Sequence, residues 1–320
     1  IDIAPIIIVA FFTTLLVFGT KIGARVDGAM TVLKIAIVFF VVIVGFFYVK
    51  ASNFTPFIPP SQPASTVEGS SAVTGVMTQP LWQFATGMTP SVYGVPGILS
   101  GAALVFFAFI GFDVVATASE ETKNPHKNVP LGIGVGMLLI IVMYMLVAVV
   151  TTGMVSYADL AKQDSPSLAT AFELVGADWA AKIISFGIVL GLATVVMVLL
   201  LGLTRIVFAM SRDGLLPRGL SKTGKHGTPA VLQIVVGAVV ALVAAFFDIG
   251  VLSDMVNIGT LSAFTLVAIS IPIMRKKRPD LPRAFKMPGS PWIPILIAVA
   301  NFWLMLNLSV LTWIRFVVWL

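Results

Sequence analysis

Few side chains in this 320-residue sequence could do chemistry, and several of those that could are set in apolar runs. The stretch 97–121 reads GILSGAALVFFAFIGFDVVATASEE, and in it the acid Asp113 follows Ile110-Gly111-Phe112 directly. A glycine beside an acid in such a run has two readings. In one, the helix stays straight, and Gly101, Gly111 and their small neighbours form a packing face. In the other, the helix breaks. Unpaired backbone groups are tolerated at membrane depth only where they line a cavity. The N-terminus of a half-helix then attracts a carboxylate, and exposed carbonyls attract an ammonium. Those are the two charged ends of an amino acid.

Lys34 is the second candidate. It lies in TVLKIAIVFFVVIVGFF, close to the start of an apolar run. Its stem could lie along the helix while the amine reaches the interface. Alternatively, the amine is buried, its charge is disfavoured, and it exchanges a proton. Thr194, with Gly191 before it, sits in FGIVLGLATVVMVLLLGLTR. Its hydroxyl can bond a carbonyl one turn back, bond a neighbouring helix, or ligate a cation.

The strings SEETKNPHKNVP and SRDGLLPRGLSK are dense in charge and turn residues. Glu120 or Glu121 could pair with Arg212 as an inner gate, or the two strings are solvated loops in which ion pairs contribute little. His126 and His226 each lie in a loop with no second ligand nearby in sequence, so no metal site is expected. No HExxH, Walker loop, GxSxG or paired-cysteine motif occurs, and there is no cysteine at all. Neither an enzyme nor a resident cofactor is expected.

The elements that position these residues follow from composition. The sequence is 58% hydrophobic and 11% charged, with a mean hydropathy of +1.04. Soluble domains run near 25% charged, so lipid must solvate most of this chain. Soluble enzymes, secreted disulfide scaffolds and disordered chains are excluded. A membrane helix needs about 20 mainly apolar residues. Candidate segments fall at about 4–18, 29–49, 97–118, 131–155, 181–210, 229–247, 252–274, 291–306 and 308–320. They are too long, and too uniformly apolar, for the strands of a membrane barrel. The expectation is an all-α integral membrane protein of about nine helices in one domain over 1–320. Because the sequence opens and closes inside apolar runs, it reads as a piece of a longer polytopic protein.

The charges set the orientation. Net charge is +6, which in a soluble protein would point to nucleic acid, but no base-reading motif is present. The connections 19–28, 119–130, 205–228 and 275–290 hold two, two, five and six basic residues, fifteen of the twenty in the chain. The alternate connections hold only Lys50, Lys162 and Lys182. Every second connection is basic, which marks the cytoplasmic face. The first segment then runs from outside to inside. Of the outer connections, 51–96 is rich in Pro, Ser, Thr and Gly. It reads as a flexible loop, or as one whose Trp82 and Tyr93 sit at the interface or cover a mouth.

Taken together, the strings resemble a known family. VFFAFIGFDVVATASEETKNPHKNVPLGI resembles the sixth-helix signature of the amino acid–polyamine–organocation permeases, closest to the cationic amino acid transporter branch and its bacterial relatives. TRIVFAMSRDGLLP is similar to the end of that family's eighth helix. VNIGTLSAFTLVAISIPIMRKKRPDLPRAFKMP is similar to its tenth helix and following loop, and ARVDGAMTVLKIAIVFFVVIVG to its fifth. The match covers almost the whole chain in order, with 51–96 the least similar stretch.

The resemblance implies the leucine-transporter type of fold, two inverted five-helix repeats plus two helices, of which this chain carries helices four to twelve. The first helix, which supplies a second broken segment facing the sixth, would precede it. Residue by residue, the resemblance places Phe107, Ala108 and Ile110 along the substrate pocket, with the aromatic position as a gate and the local carbonyls receiving the substrate's amine. It places Gly111 at the helix break and Asp113 at the acid of the GFD string. Lys34 matches the fifth-helix lysine that, in proton-coupled members, stands where sodium-coupled relatives bind a cation. Thr194 matches the eighth-helix hydroxyl beside it. The implied function is secondary transport of an amino acid across the plasma membrane of a bacterium by alternating access, coupled to protons. The alternative is a sensor or membrane subunit that binds an amino acid without moving it.

Overall fold

Runs dominated by Leu, Ile, Val, Phe and Ala leave the backbone as the main polar group in lipid, and a helix pairs that backbone within one segment. The computed structural model describes residues 3–18, 20–66, 75–112, 114–117, 122–163, 166–221, 229–281, 283, 286–287 and 289–320. Nearly every long element is helical. Four helices among the described residues are long and apolar enough to cross a membrane: Gly28–Phe46, Pro125–Met154, Asp178–Arg212 and Ile249–Lys277. Shorter apolar helices lie between and beside them. Many Leu, Val, Ile and Phe side chains are exposed along these rods, for example Leu131, Val135 and Leu138. In water that surface would be a liability; in a bilayer it is the solvated face.

The described residues form two compact units, 1–54 with 113–122 and 132–247, and 55–112 with 123–131 and 248–320. In the first unit, α1 (Ile3–Phe18) and α2 (Thr20–Phe46) are followed in sequence by α5 (Val114–Thr117), most of α6 (Pro125–Met154), the short α7 (Tyr157–Ala161) and α8 (Leu168–Leu174), the long α9 (Asp178–Arg212) and α10 (Ala230–Phe246). Glycines set the closest approaches. A Cβ on Gly187 of α9 would strike Ile37 of α2, and one on Gly237 of α10 would strike Thr13 of α1. Two cores result. Val41, Val150, Phe172, Ala181 and Ile184 bury each other where α2, α6, α8 and α9 meet. Phe12, Leu16, Met197, Leu200 and Leu232 do so among α1, α9 and α10.

The second unit holds α3 (Leu81–Thr86), α4 (Gly94–Val105), α11 (Ile249–Lys277), α12 (Trp292–Leu306) and α13 (Val310–Trp319), around a core of Ala103, Ile258, Leu261, Met305, Leu308 and Phe316. Its helix ends are chemically defined. Asp248 caps α11 by accepting from the Gly250 amide at 2.8 Å, and Ser309 caps α13 by accepting from Thr312 at 3.2 Å. At its other end α11 carries Arg275, Lys276 and Lys277, charges that suit the negative end of the helix dipole. Arg283 folds back and donates to the carbonyls of Met274 and Arg278 at 3.2 and 2.7 Å. Arg283, beyond the end of α11, therefore helps to cap that helix.

The connection read as loop 51–96 has structure where it is described. Strands β1 (Gln62–Pro63) and β2 (Ser91–Val92) pair antiparallel. Residues 77–82 lie along 308–311: the Leu81 amide donates to Leu308 O (3.0 Å), Val310 to Gln79 O (3.1 Å) and Leu311 to Met77 O (2.8 Å). Trp82 stacks on Trp303 of α12 at 6.5 Å. The polar composition of the stretch had hidden these long-range backbone pairings.

Candidate functional site

The break is local to the second unit. α4 ends at Val105, and the chain tightens into a 3-10 turn over Phe106–Phe109. Ile110 is then extended, at φ −65° and ψ 138°, with its amide donating to Phe107 O at 3.2 Å. Gly111 follows at φ +119°, a conformation that side chains rarely adopt. A Cβ on it would meet nothing within 4 Å, so the glycine answers a backbone need and not a crowding one. The straight-helix reading of 97–118 does not hold over these residues. Two properties of the sequence converge here. Phe106-Phe107-Ala108-Phe109 gives a bulky, apolar turn. Gly111 supplies the positive φ. The next helix among the described residues is Val114–Thr117.

Phe107 and Ala108 therefore sit on the tight turn, and Ile110 and Gly111 on the break that follows it. Phe107 is 44% exposed, so its ring is presented and not locked in a core. Asp113 lies outside the described residues, as do Glu120 and Glu121. Arg212 ends α9 and lies 3.4 Å from Asp213, both side chains more than half exposed. Sequence reading passed over Phe264 of α11, whose ring lies 6.2 Å from that of Phe106 and 5.3 Å from that of Phe112. Its only signal was a lone aromatic within the string VNIGTLSAFTLVAIS.

The first unit brings a second pair together. α2 begins at Thr20, nine residues before the expected start, so Lys34 lies about 21 Å along a continuous helix at 1.5 Å per residue. Its side chain is partly buried, and its Cγ lies 3.9 Å from the place a Cβ on Gly191 of α9 would take. Thr194, 3% exposed, donates its hydroxyl to Gly191 O at 2.8 Å. That bond pairs the hydroxyl one turn back, the first of its expected options, and leaves the oxygen's lone pairs as acceptors. Gly187, Gly191 and Thr194, at spacings of four and three, form the small-residue face of α9 toward Ile37 and Lys34 of α2. α5 leans on the same helix, with Val114 Cγ1 3.0 Å from a Cβ placed on Gly202. Among the described residues no group of three metal-ligating side chains occurs.

Comparison with known proteins shows the family of the chain. The sequence profile described as "Amino acid permease" matches residues 3–318. The chain is 41% identical over 320 residues to the branched-chain amino acid permease BcaP of Bacillus subtilis, covering all of this chain and 62% of that protein. It is 38% identical over 315 residues to the methylthioribose transporter of the same species, covering 98% of this chain and 61% of that one. It is 34% identical over 281 residues to the vacuolar cationic amino acid transporter 4 of Arabidopsis thaliana, covering 88% of this chain and 42% of that one. The chain thus spans less than two thirds of the relatives it matches. Homologues named as transporters stand against the enzyme class and agree with the absence of any catalytic motif. With its broken apolar helix, its small-residue helix face and a match over nearly its whole length, this chain belongs to the amino acid permease family.

Proposed function

We propose that the full-length protein is a secondary transporter of amino acids, with the substrate held at the break between Phe106 and Phe112. The observation that carries this is Gly111 at φ +119° directly after an extended Ile110, in a chain of a permease family. A helix interrupted in an apolar run frees carbonyls and amides that the helix itself does not pair. Such groups accept from an ammonium and donate to a carboxylate at low dielectric, where each bond is strongest. Phe107 covers the bound molecule, and Ala108 leaves room for it. The fold in this reading is the inverted-repeat, leucine-transporter type in one permease domain, and access alternates by rocking one helix bundle against another.

Transport is coupled to protons through Lys34. A lysine within a membrane helix has a costly charge, and the stem of Lys34 lies beside Gly191 on the helix that also carries the Thr194 hydroxyl. The protein acts in the plasma membrane. Arg212, with Glu120 and Glu121, closes the inner side.

A second reading is favoured by one comparison. A relative 38% identical is named for methylthioribose, a neutral thiosugar with neither ammonium nor carboxylate. Uptake of radiolabelled L-isoleucine, L-arginine and methylthioribose by the full-length protein in proteoliposomes separates the two, with and without an inward proton gradient. Uptake of an amino acid, lost when either its amine or its carboxylate is blocked, supports the main reading. Uptake of methylthioribose alone selects the second. Binding of an amino acid without uptake makes the protein a sensor and overturns transport.

A further inference from the structure

Phe264 stands at a position that a continuous helix would not offer. In an α-helix, residues six apart are separated by about 9 Å along the axis and about 120° around it. Phe106 and Phe112 are six apart, yet the same ring on α11 lies 6.2 Å from one, edge-on at 77°, and 5.3 Å from the other, tilted by 39°. Both separations are those of favourable aromatic pairs. The shared contact exists because the chain breaks at Ile110 and Gly111 and turns both rings toward one partner. At the break itself the Ile110 amide donates to Phe107 O at 3.2 Å.

The ring is also well anchored from behind. Leu261, one turn earlier on α11, is fully buried with Ala103 of α4 in the core that Phe106 packs against. α11 is tied in turn to α13, where the Thr312 hydroxyl donates to Asp254 at 3.1 Å. A displacement of α11 is therefore delivered to both sides of the break through one side chain.

We propose that Phe264 is a positioning residue for the broken helix: its ring holds Phe106 and Phe112, on the two sides of the break, in their places around the site, and so sets substrate affinity without touching substrate. This rests on the break being the substrate site. The test uses the full-length protein made cysteine-free, which requires no change within these 320 residues because they contain no cysteine. Ala108→Cys is introduced as a reporter, and its rate of reaction with N-ethylmaleimide is measured in proteoliposomes. Phe264→Leu, which keeps bulk but loses the ring, is expected to change that rate several-fold, toward faster labelling, and Phe264→Tyr to leave it near the parent. In the background with Ala108 intact, Phe264→Leu is expected to raise KM for uptake several-fold with the maximal rate largely kept. A folded Phe264→Leu protein that labels at the parental rate overturns the proposal. Should that variant not fold, Phe112→Leu removes the same pair from the other side and is read by the same labelling rate. Failure of L-isoleucine, L-arginine and methylthioribose alike to slow labelling of Ala108→Cys would instead remove the site reading, and the effect of Phe264 on the labelling rate would still be decided separately.

Discussion

The Cγ of Lys34 lies 3.9 Å from the place a Cβ on Gly191 would occupy, so the stem of a lysine on one helix is laid against a glycine on another. That distance is an ordinary van der Waals contact, with room for a methyl group and no more. Gly191→Ala is therefore expected to behave like the parent. Gly191→Leu must push the lysine aside, at a cost of about 1–3 kcal/mol for an overpacked site. In proteoliposomes its stimulation by an inward proton gradient should fall by an order of magnitude or more, while exchange of substrate at equal pH is retained. Lys34→Ala should remove the gradient's effect altogether. Undiminished pH-driven uptake by Lys34→Ala would sink the proton role of this lysine.

Gly111 gives the second prediction. At φ +119° any side chain is strained, although nothing lies within 4 Å of its Cβ position. A residue forced into such a region costs about 1–3 kcal/mol, and the chain can relieve that strain by changing the break. Gly111→Ala should lower the thermal midpoint modestly and reduce uptake sharply. With open space at the Cβ position the loss is one of backbone strain and not of crowding, so a thermal-shift measurement should place the β-branched Gly111→Val below Gly111→Ala; a Gly111→Ala protein with parental midpoint and uptake would remove the role of the positive φ.

How much of this was legible in the sequence divides along one physical line. Apolar length marked out the helices, because lipid demands that the backbone be paired locally and about 20 residues are needed to cross. The glycine-acid pair in the run 97–118 left a break and a straight helix both open, because the choice depends on φ at one residue. Contacts between distant segments had no local signature at all. Nothing in the string around Gly191 says that Lys34 lies against it. Nothing in the polar stretch 75–92 says that Leu81 and Gln79 bond the backbone at Leu308 and Val310. Phe264 was passed over for the same reason, since one more phenylalanine in an apolar helix is indistinguishable from the rest until its neighbours are known.

Outside the membrane-spanning helices, Asp159 carries a pH dependence with a definite sign. The Ser156 hydroxyl, at 2.7 Å, and then Lys162, at 3.4 Å, hold its carboxyl below the ordinary value of 3.8. Its folded value is depressed, so what it contributes to the short helix α7 is fully present above 3.8 and is lost as the pH falls through the folded value, below 3.8. Amide exchange over 157–161 should accelerate only in that acidic window. Ser156→Ala removes the larger cause and should move the onset upward toward 3.8; an unchanged onset would assign the effect to Lys162 instead.

Thr312 makes the last prediction, because one hydroxyl there serves two ends of the second unit. It is fully buried, lies 2.7 Å from the Ser309 hydroxyl at the start of α13, and donates to Asp254 of α11 at 3.1 Å. Thr312→Val keeps the shape and removes the donor. The half-buried carboxylate of Asp254 then loses its hydroxyl partner, with Arg315 as the nearby positive charge. Leaving a buried acceptor without its donor costs about 1–3 kcal/mol, and the thermal midpoint should drop accordingly. Thr312→Ser keeps the hydroxyl and should stay near the parent. The double variant Thr312→Val with Asp254→Asn separates the carboxylate's charge from the simple loss of a contact. If the charge is what is costly, neutralising it recovers part of the loss. If the double variant is merely the sum of the two single changes, the bond between Thr312 and Asp254 contributes no coupling, and the tie between α11 and α13 rests on apolar packing around Ile258, Leu261 and Phe316.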